Sequence, residues 1–178
     1  MADSKILAPF ILSWEGGFAN HPKDPGGATM RGIILSTFRR VFGSDKTVAD
    51  LKAMTDEQWH TVYKKYFWDR WRANEILSQS VANLLVDWVW ASGAHGVTKV
   101  QQLLGVKADG VVGPVTLSAL NGREPEELFR RIHARRRRFI ETCRNFDVFG
   151  RGWLRRLNAI GYGSLLYNGT KIPVLHKP

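Results

Sequence analysis

Cysteine is all but missing from this sequence. Cys143 stands alone, so no disulfide can form within the chain and the fold must rest on packing and hydrogen bonds. Long apolar runs are missing too: no stretch approaches the roughly 18 residues that a membrane-spanning helix needs. The opening Met1-Ala2-Asp3-Ser4-Lys5 leads into a short amphipathic run ending at Trp14-Glu15. That run lacks the unbroken apolar stretch and the small-residue cleavage site of a secretory signal, so synthesis in the cytoplasm without a leader is expected. His21, His60, His95, His133 and His176 are scattered, and no pair has metal-ligand spacing beside an acid, so no metal site is expected. Ser92-Gly93 is not a nucleophile elbow, and Cys143 has no helix N-terminus to activate it and is expected to pack. Acids are scarce: 16 Asp and Glu against 26 Lys and Arg leave a net charge of +10. Such a surface attracts polyanions, whether nucleic acid, anionic membrane or an anionic cell envelope, and charge alone does not choose among them.

Apolar and aromatic residues are plentiful. At 44% hydrophobic and 11% aromatic, 178 residues can bury one substantial core. The seven tryptophans are read first as packing residues and second as faces for stacking sugars. Helical periodicity dominates. Asp3 or Ser4 can cap a helix carrying Ile6, Leu7, Phe10, Ile11 and Trp14, stopped by Gly16-Gly17. Residues 18–35 change to turn chemistry with room for a short hairpin, and helix returns from Ser36. Thr55-Asp56-Glu57-Gln58 is a capping box. Val81–Ala91 is apolar almost all round, predicting a central buried helix ended by Gly93 and Gly96.

A short helix over Val97–Leu104 then leads to the loop Asp109–Pro114, with Pro114 starting the next helix. Pro125-Glu126-Glu127 opens a long helix whose run Arg135–Arg138 reads as a solvated cationic face, with polyanion docking as the sharper reading. A last helix is expected after Gly152-Trp153, and an irregular tail from Asn168 to Pro178. The pattern predicts a mainly α single domain with a small β-turn or hairpin element near its N-terminus.

The residues with most chemistry lie early. Glu15 falls at the C-terminal end of the first helix, on a partly apolar face, where burial and the negative end of the helix dipole both favour a protonated carboxyl. Asp24 precedes Pro-Gly in an open turn, where a carboxylate stays ionised, and Thr29 supplies a hydroxyl to help hold a water. Two carboxyls driven apart by their surroundings form the pattern of a glycosidase. The same residues read equally as a surface acid and an ordinary turn former.

Trp14-Glu15-Gly16-Gly17-Phe18, followed by Asp24-Pro25-Gly26-Gly27-Ala28-Thr29-Met30-Arg31-Gly32-Ile33, resembles the N-terminal signature of glycoside hydrolase family 108, the bacterial and phage N-acetylmuramidases. Tyr66-Phe67-Trp68-Asp69 is similar to the aromatic segment closing an early helix of that family. Asp87–Gly93, Gln101–Val106 and Asp109–Leu117 resemble its peptidoglycan-binding half, and Phe149–Leu157 its closing Gly-Trp helix. The likeness runs in order from about residue 6 to 160. It implies a lysozyme-like fold, cleavage of the β-1,4 bond between N-acetylmuramic acid and N-acetylglucosamine, and Glu15 as the catalytic acid.

The resemblance further implies that Asp24 and Thr29 act on water, and that Tyr66, Trp68 and Asp87 contact substrate. Asp87, lying in the apolar helix one turn after Asn83, also reads as a satisfied structural acid that needs a partner, with a catalytic base as the sharper alternative. No cofactor is implied. Residues 1–77 would form a catalytic half, 78–167 a helical peptidoglycan-binding-like half packed into the same domain, and 168–178 the tail.

Two departures stand out. Eight residues separate Glu15 from Asp24, as in phage lysozymes, but the four between Asp24 and Thr29 are one fewer than in those enzymes. Relatives tend to carry Asn where this chain has Ala91. The expected partner is bacterial peptidoglycan, met in the periplasm or cell wall by a monomer released through a holin or an export system, for phage release or protein export. Rival readings are a wall-binding module without catalysis and, from charge alone, a nucleic-acid-binding protein.

Overall fold

The computed structural model describes residues 1–20 and 27–174. Helix α1 (Ser4–Trp14) is capped by Asp3, whose carboxylate accepts from the Lys5 amide, and it buries Leu7, Phe10 and Ile11 at helical spacing. The backbone turns extended at Glu15, which fixes that residue at the exit of the helix. Three short antiparallel strands follow: β1 (Phe18–Ala19), β2 (Thr29–Met30) and β3 (Ile33–Ile34), in the order β1-β2-β3. Arg31 and Gly32, both at positive φ (47° and 78°), make the two-residue turn between β2 and β3. That conformation matches the twist of a tight hairpin.

Helices α2 (Leu35–Phe42), α3 (Val48–Lys52) and α4 (Asp56–Tyr63) come next. The expected capping box at Thr55 and Gln58 opens α4. A π-helical turn, Lys64–Trp68, extends α4 and re-aims its aromatic residues. Helix α5 (Gln79–Ser92) runs through the centre of the molecule, buried continuously from Gln79 to Val89. Gly93 ends it, but Gly96 does not. Gly96 lies inside α6 (His95–Leu104), where a Cβ would stand 2.6 Å from the Val89 backbone nitrogen. The glycine lets the two helices touch backbone to backbone. Helices α7 (Pro114–Asn121) and α8 (Pro125–Glu141) start at their prolines, as read from the sequence.

The C-terminal part departs from expectation twice. Helix α9 spans Phe146–Asn158, so Gly152-Trp153 lies within it rather than before it. Beyond it lies a second antiparallel sheet, β4 (Ile160–Gly161), β5 (Ser164–Tyr167) and β6 (Thr170–Pro173), whose last strand occupies part of the supposed irregular tail. Asn168-Gly169, at φ 50° and 74°, forms the tight turn joining β5 to β6. This Asn-Gly pair, flanked by Leu165, Leu166 and Tyr167 on one side and Ile172 on the other, is a strong hairpin signal. Tyr167 packs edge-on against Phe10, 6.1 Å between ring centres, clamping the hairpin onto α1.

Candidate active site

The site is assembled around the exit of α1. Glu15 is largely buried, its side chain 16% exposed, and its Oε1 accepts two hydrogen bonds: from Trp90 Nε1 at 2.7 Å and from Arg156 Nη1 at 2.8 Å. Trp90 comes from the end of α5 and Arg156 from α9, so three distant segments meet on one oxygen. The Trp90 indole is held in an aromatic cluster, with Phe67 at 4.4 Å and Trp59 at 5.6 Å between ring centres. The π-helical turn is what brings Phe67 to that face. The preceding residue of α9, Arg155, lies over the ring of Trp14, so consecutive residues of α9 hold the last two residues of the α1 exit.

The other carboxylate oxygen faces the hairpin turn. A Cβ on Gly32 would lie 2.6 Å from Glu15 Oε2 and 2.6 Å from the Trp90 ring. With φ at +78°, the position excludes other side chains on two counts. The turn is locked in place from behind: Trp59 Nε1 donates to the Arg31 carbonyl at 3.0 Å, and the Arg31 side chain pairs with Asp56 at the start of α4.

Behind Glu15 stands a buried ion network. Asp87, with no exposed side-chain surface, accepts from Arg136 Nη2 at 2.7 Å and from Arg156 at 2.8 Å. Burial pushes the Asp87 carboxyl up, but Arg156 and then Arg136 more than offset this and hold it below the usual carboxylate range. Arg156 is pushed down by burial and raised more strongly by Asp87 and Glu15. Burial draws Arg136 below its ordinary value against the pull of Asp87. A guanidinium starts so high that it keeps its charge in either case. Asp87 therefore fixes Arg156, and Arg156 orients Glu15.

Several sequence expectations change. Glu15 is where the helix pattern puts it, yet its neighbourhood is a charged, hydrogen-bonded network rather than an apolar pocket. Asp87 cannot contact substrate, because its carboxylate is fully enclosed by two arginines. Trp68 is also fully buried, with Nε1 donating to Asn74, and offers no face to a sugar. Tyr66 is half-buried with Lys65 over its ring. Thr29 is half-buried on β2, its hydroxyl donating to the Gly27 carbonyl at 3.3 Å. Asp24 lies outside the described residues.

Arg136 is buried and paired, so the run Arg135–Arg138 is not one solvated face. Asn83 pairs with Gln79 rather than Asp87. The glycine loop before α7 is stitched by Gln101, which accepts from the Gly110 amide and donates to the Val111 carbonyl. Among the described residues, no cluster of His, Cys, Asp and Glu suits a metal ion.

Sequence reasoning passed over Trp90, Arg156 and Gly32 as site residues. Gly32 and Arg156 both lie in motifs that carried the family resemblance, but nothing local says that they meet. The family model described as "Glycosyl hydrolase 108" matches residues 8–93, and that described as "Predicted Peptidoglycan domain" matches residues 95–158. The chain is also similar to a solved structure, Brucella abortus SagA, at 30% identity and a TM-score of 0.78, over 88% of this chain and 90% of that one.

The chain belongs to glycosyl hydrolase family 108.

It is a glycoside hydrolase, a peptidoglycan muramidase with a lysozyme-like, mainly α fold. Glu15, Trp90, Asp87 and Gly32 lie within the hydrolase match, whereas Arg136 and Arg156 come from the peptidoglycan-domain match. The ion network thus binds the two matched regions together. A search of curated protein sequences found no match.

Proposed function

We propose that this family 108 muramidase uses Glu15 as its general acid. The observation carrying the assignment is the double anchoring of Oε1 by Trp90 and Arg156, which leaves Oε2 as the oxygen to carry the transferable proton. In the reaction, Oε2 gives its proton to the glycosidic oxygen as the bond from C1 of N-acetylmuramic acid breaks. The leaving N-acetylglucosamine then departs with a 4-hydroxyl. A water adds to C1 and surrenders a proton to Asp24, with Thr29 helping to place it. The carboxylate formed on Glu15 is met by two preorganised donors, which suits a charge that develops during the step.

Replacing Glu15 by Gln keeps the donors' partner atom and removes the transferable proton. General acid catalysis contributes about 10²–10⁴-fold, and turnover should fall by that order with the fold intact. Clearing of a peptidoglycan suspension measures it, and mass spectrometry of the fragments shows the products. A Glu15→Gln protein that clears walls at the parental rate overturns the assignment. Anhydro sugars in place of reducing N-acetylmuramic acid overturn the hydrolytic reaction.

The proposed setting is synthesis in the cytoplasm and action in the periplasm or cell wall, after passage through a holin or an export system. What supports it is the peptidoglycan substrate, which lies outside the inner membrane, together with the absence, among the described residues, of any helix long and apolar enough to cross that membrane. Expressed without a helper, the protein should leave cells intact until the inner membrane is permeabilised. Lysis with that membrane still sealed would count against this route.

A further inference from the structure

A cavity of about 330 Å³ opens between α5, α8 and α9, one guanidinium away from Glu15. Its walls are largely apolar, formed by Phe139, Ile140 and Trp153, with the polar Ser92 and His95 also lining it. Two charged side chains line it, Arg136 and Arg156. Arg136 is nearly enclosed, its side chain 3% exposed, with Nη2 committed to Asp87. Its Nη1, also buried, meets no acceptor among the described residues. A buried guanidinium N–H without an acceptor is unfavourable, and an incoming anion relieves it.

The charge pattern points the same way. Asp87 is shared by Arg136 and Arg156, and Arg156 also serves Glu15. Whenever Glu15 holds a proton, the four groups together carry one positive charge too many. At the mouth, Ala91 contributes only a methyl, so the opening stays clear on that side.

We propose that this cavity is a binding site for a carboxylate on a small apolar body, supplied by the stem peptide of the peptidoglycan substrate. The identification of the source rests on the muramidase reading. One unpaired guanidinium nitrogen, with Ser92 and His95 also lining the cavity and aromatic and aliphatic walls around them, suits a carboxylate next to a methyl group, as in a terminal alanine. Through Arg156, the occupied cavity shares a wall residue with the acid.

The sole cysteine provides a reporter, because Cys143 lines the same cavity. Alkylation of Cys143 is followed in the intact Glu15→Gln protein, with a stem tetrapeptide ending in a free carboxylate, the same peptide as its C-terminal amide, acetate, or a peptide-free disaccharide. Competitive occupancy slows labelling by a factor of one plus the ligand-to-Kd ratio, roughly tenfold at about ten times Kd. The expected result is protection by the carboxylate peptide and not by its amide or by the disaccharide.

Ala91→Leu, which narrows the mouth at an exposed position, should abolish protection. It should also raise KM for peptide-bearing strands and leave turnover of peptide-stripped strands unchanged. Equal protection by the amide, or no protection by any probe, overturns the site. Acetate as effective as the peptide at equal concentration assigns the cavity to free anions and overturns the stem-peptide source. If neither peptide-bearing nor stripped strands are cleaved by the parent enzyme, it is the hydrolase reading that fails. Labelling still reports on the cavity in that case.

Discussion

Glu15 is unremarkable as a residue type; its environment gives it a role. A carboxylate with one oxygen tied by an indole N–H and a guanidinium has few orientations left, and the remaining oxygen is held against a glycine. Gly32 is the most sensitive neighbour. Gly32→Ala places a methyl 2.6 Å from both Glu15 Oε2 and the Trp90 ring, at a φ that L-residues avoid. The backbone conformation alone costs about 1–2 kcal/mol. A displacement of the acid on the order of 1 Å can cost about 10²-fold in rate. The expected outcome is a folded protein with slightly lowered stability and roughly 10²-fold lower turnover, read by circular dichroism melts alongside wall clearing. Near-parental turnover would show that the close approach is irrelevant to catalysis.

Among the elements, α9 and the α5–α6 crossing decide most. Helix α9 carries Arg155 and Arg156 to the exit of α1, so its register sets the site. The α5–α6 crossing depends on Gly96, whose missing side chain lets α6 rest on the backbone of Trp88 and Val89. Gly96→Ala has no flexible neighbour to push aside, because its contacts are main-chain atoms of a buried helix. Overpacking of this kind costs about 1–3 kcal/mol. The gain in intrinsic helix propensity, up to about 1 kcal/mol, only partly offsets it. Urea denaturation should show a lower midpoint with an unchanged slope. A midpoint raised above the parent's would mean that propensity outweighs the clash.

At the scale of the whole molecule, the ion network ties α5, α8 and α9, and so links the two family-matched regions, through Asp87. The Asp87 carboxyl is held below its ordinary value of 3.8. A group depressed by folding contributes stability that is fully present above its unfolded value and is lost as pH falls through the folded one. Thermal stability should therefore hold from neutral pH down to about 4 and decline below it. Asp87→Asn leaves the buried Arg136 guanidinium without a counter-charge and Arg156 with Glu15 alone, and should cost about 3–5 kcal/mol. Its melting temperature should be low already at pH 7 and lack the Asp87 share of the acid decline. Equal stability of the variant and parent at pH 7 would remove the network from the fold's support.

The chain's local chemistry determined the helices, their caps and the position of Glu15. Asp3, Thr55, Pro114 and Pro125 act on neighbours a few residues away, and the 3.6-residue period reports which face is apolar. The motif order also carried the family, because Glu15-Gly16-Gly17 and Arg31-Gly32 are contiguous in sequence. The tertiary structure alone decided what Glu15 touches. Arg156 lies 141 positions away and Trp90 75, and no periodicity encodes a contact between three elements. It also decided that Asp87 and Trp68 are enclosed while the Arg136 guanidinium lies inside. Burial is a property of the packed assembly: a charged residue in a basic run enters the core only where another helix presents its counter-charge.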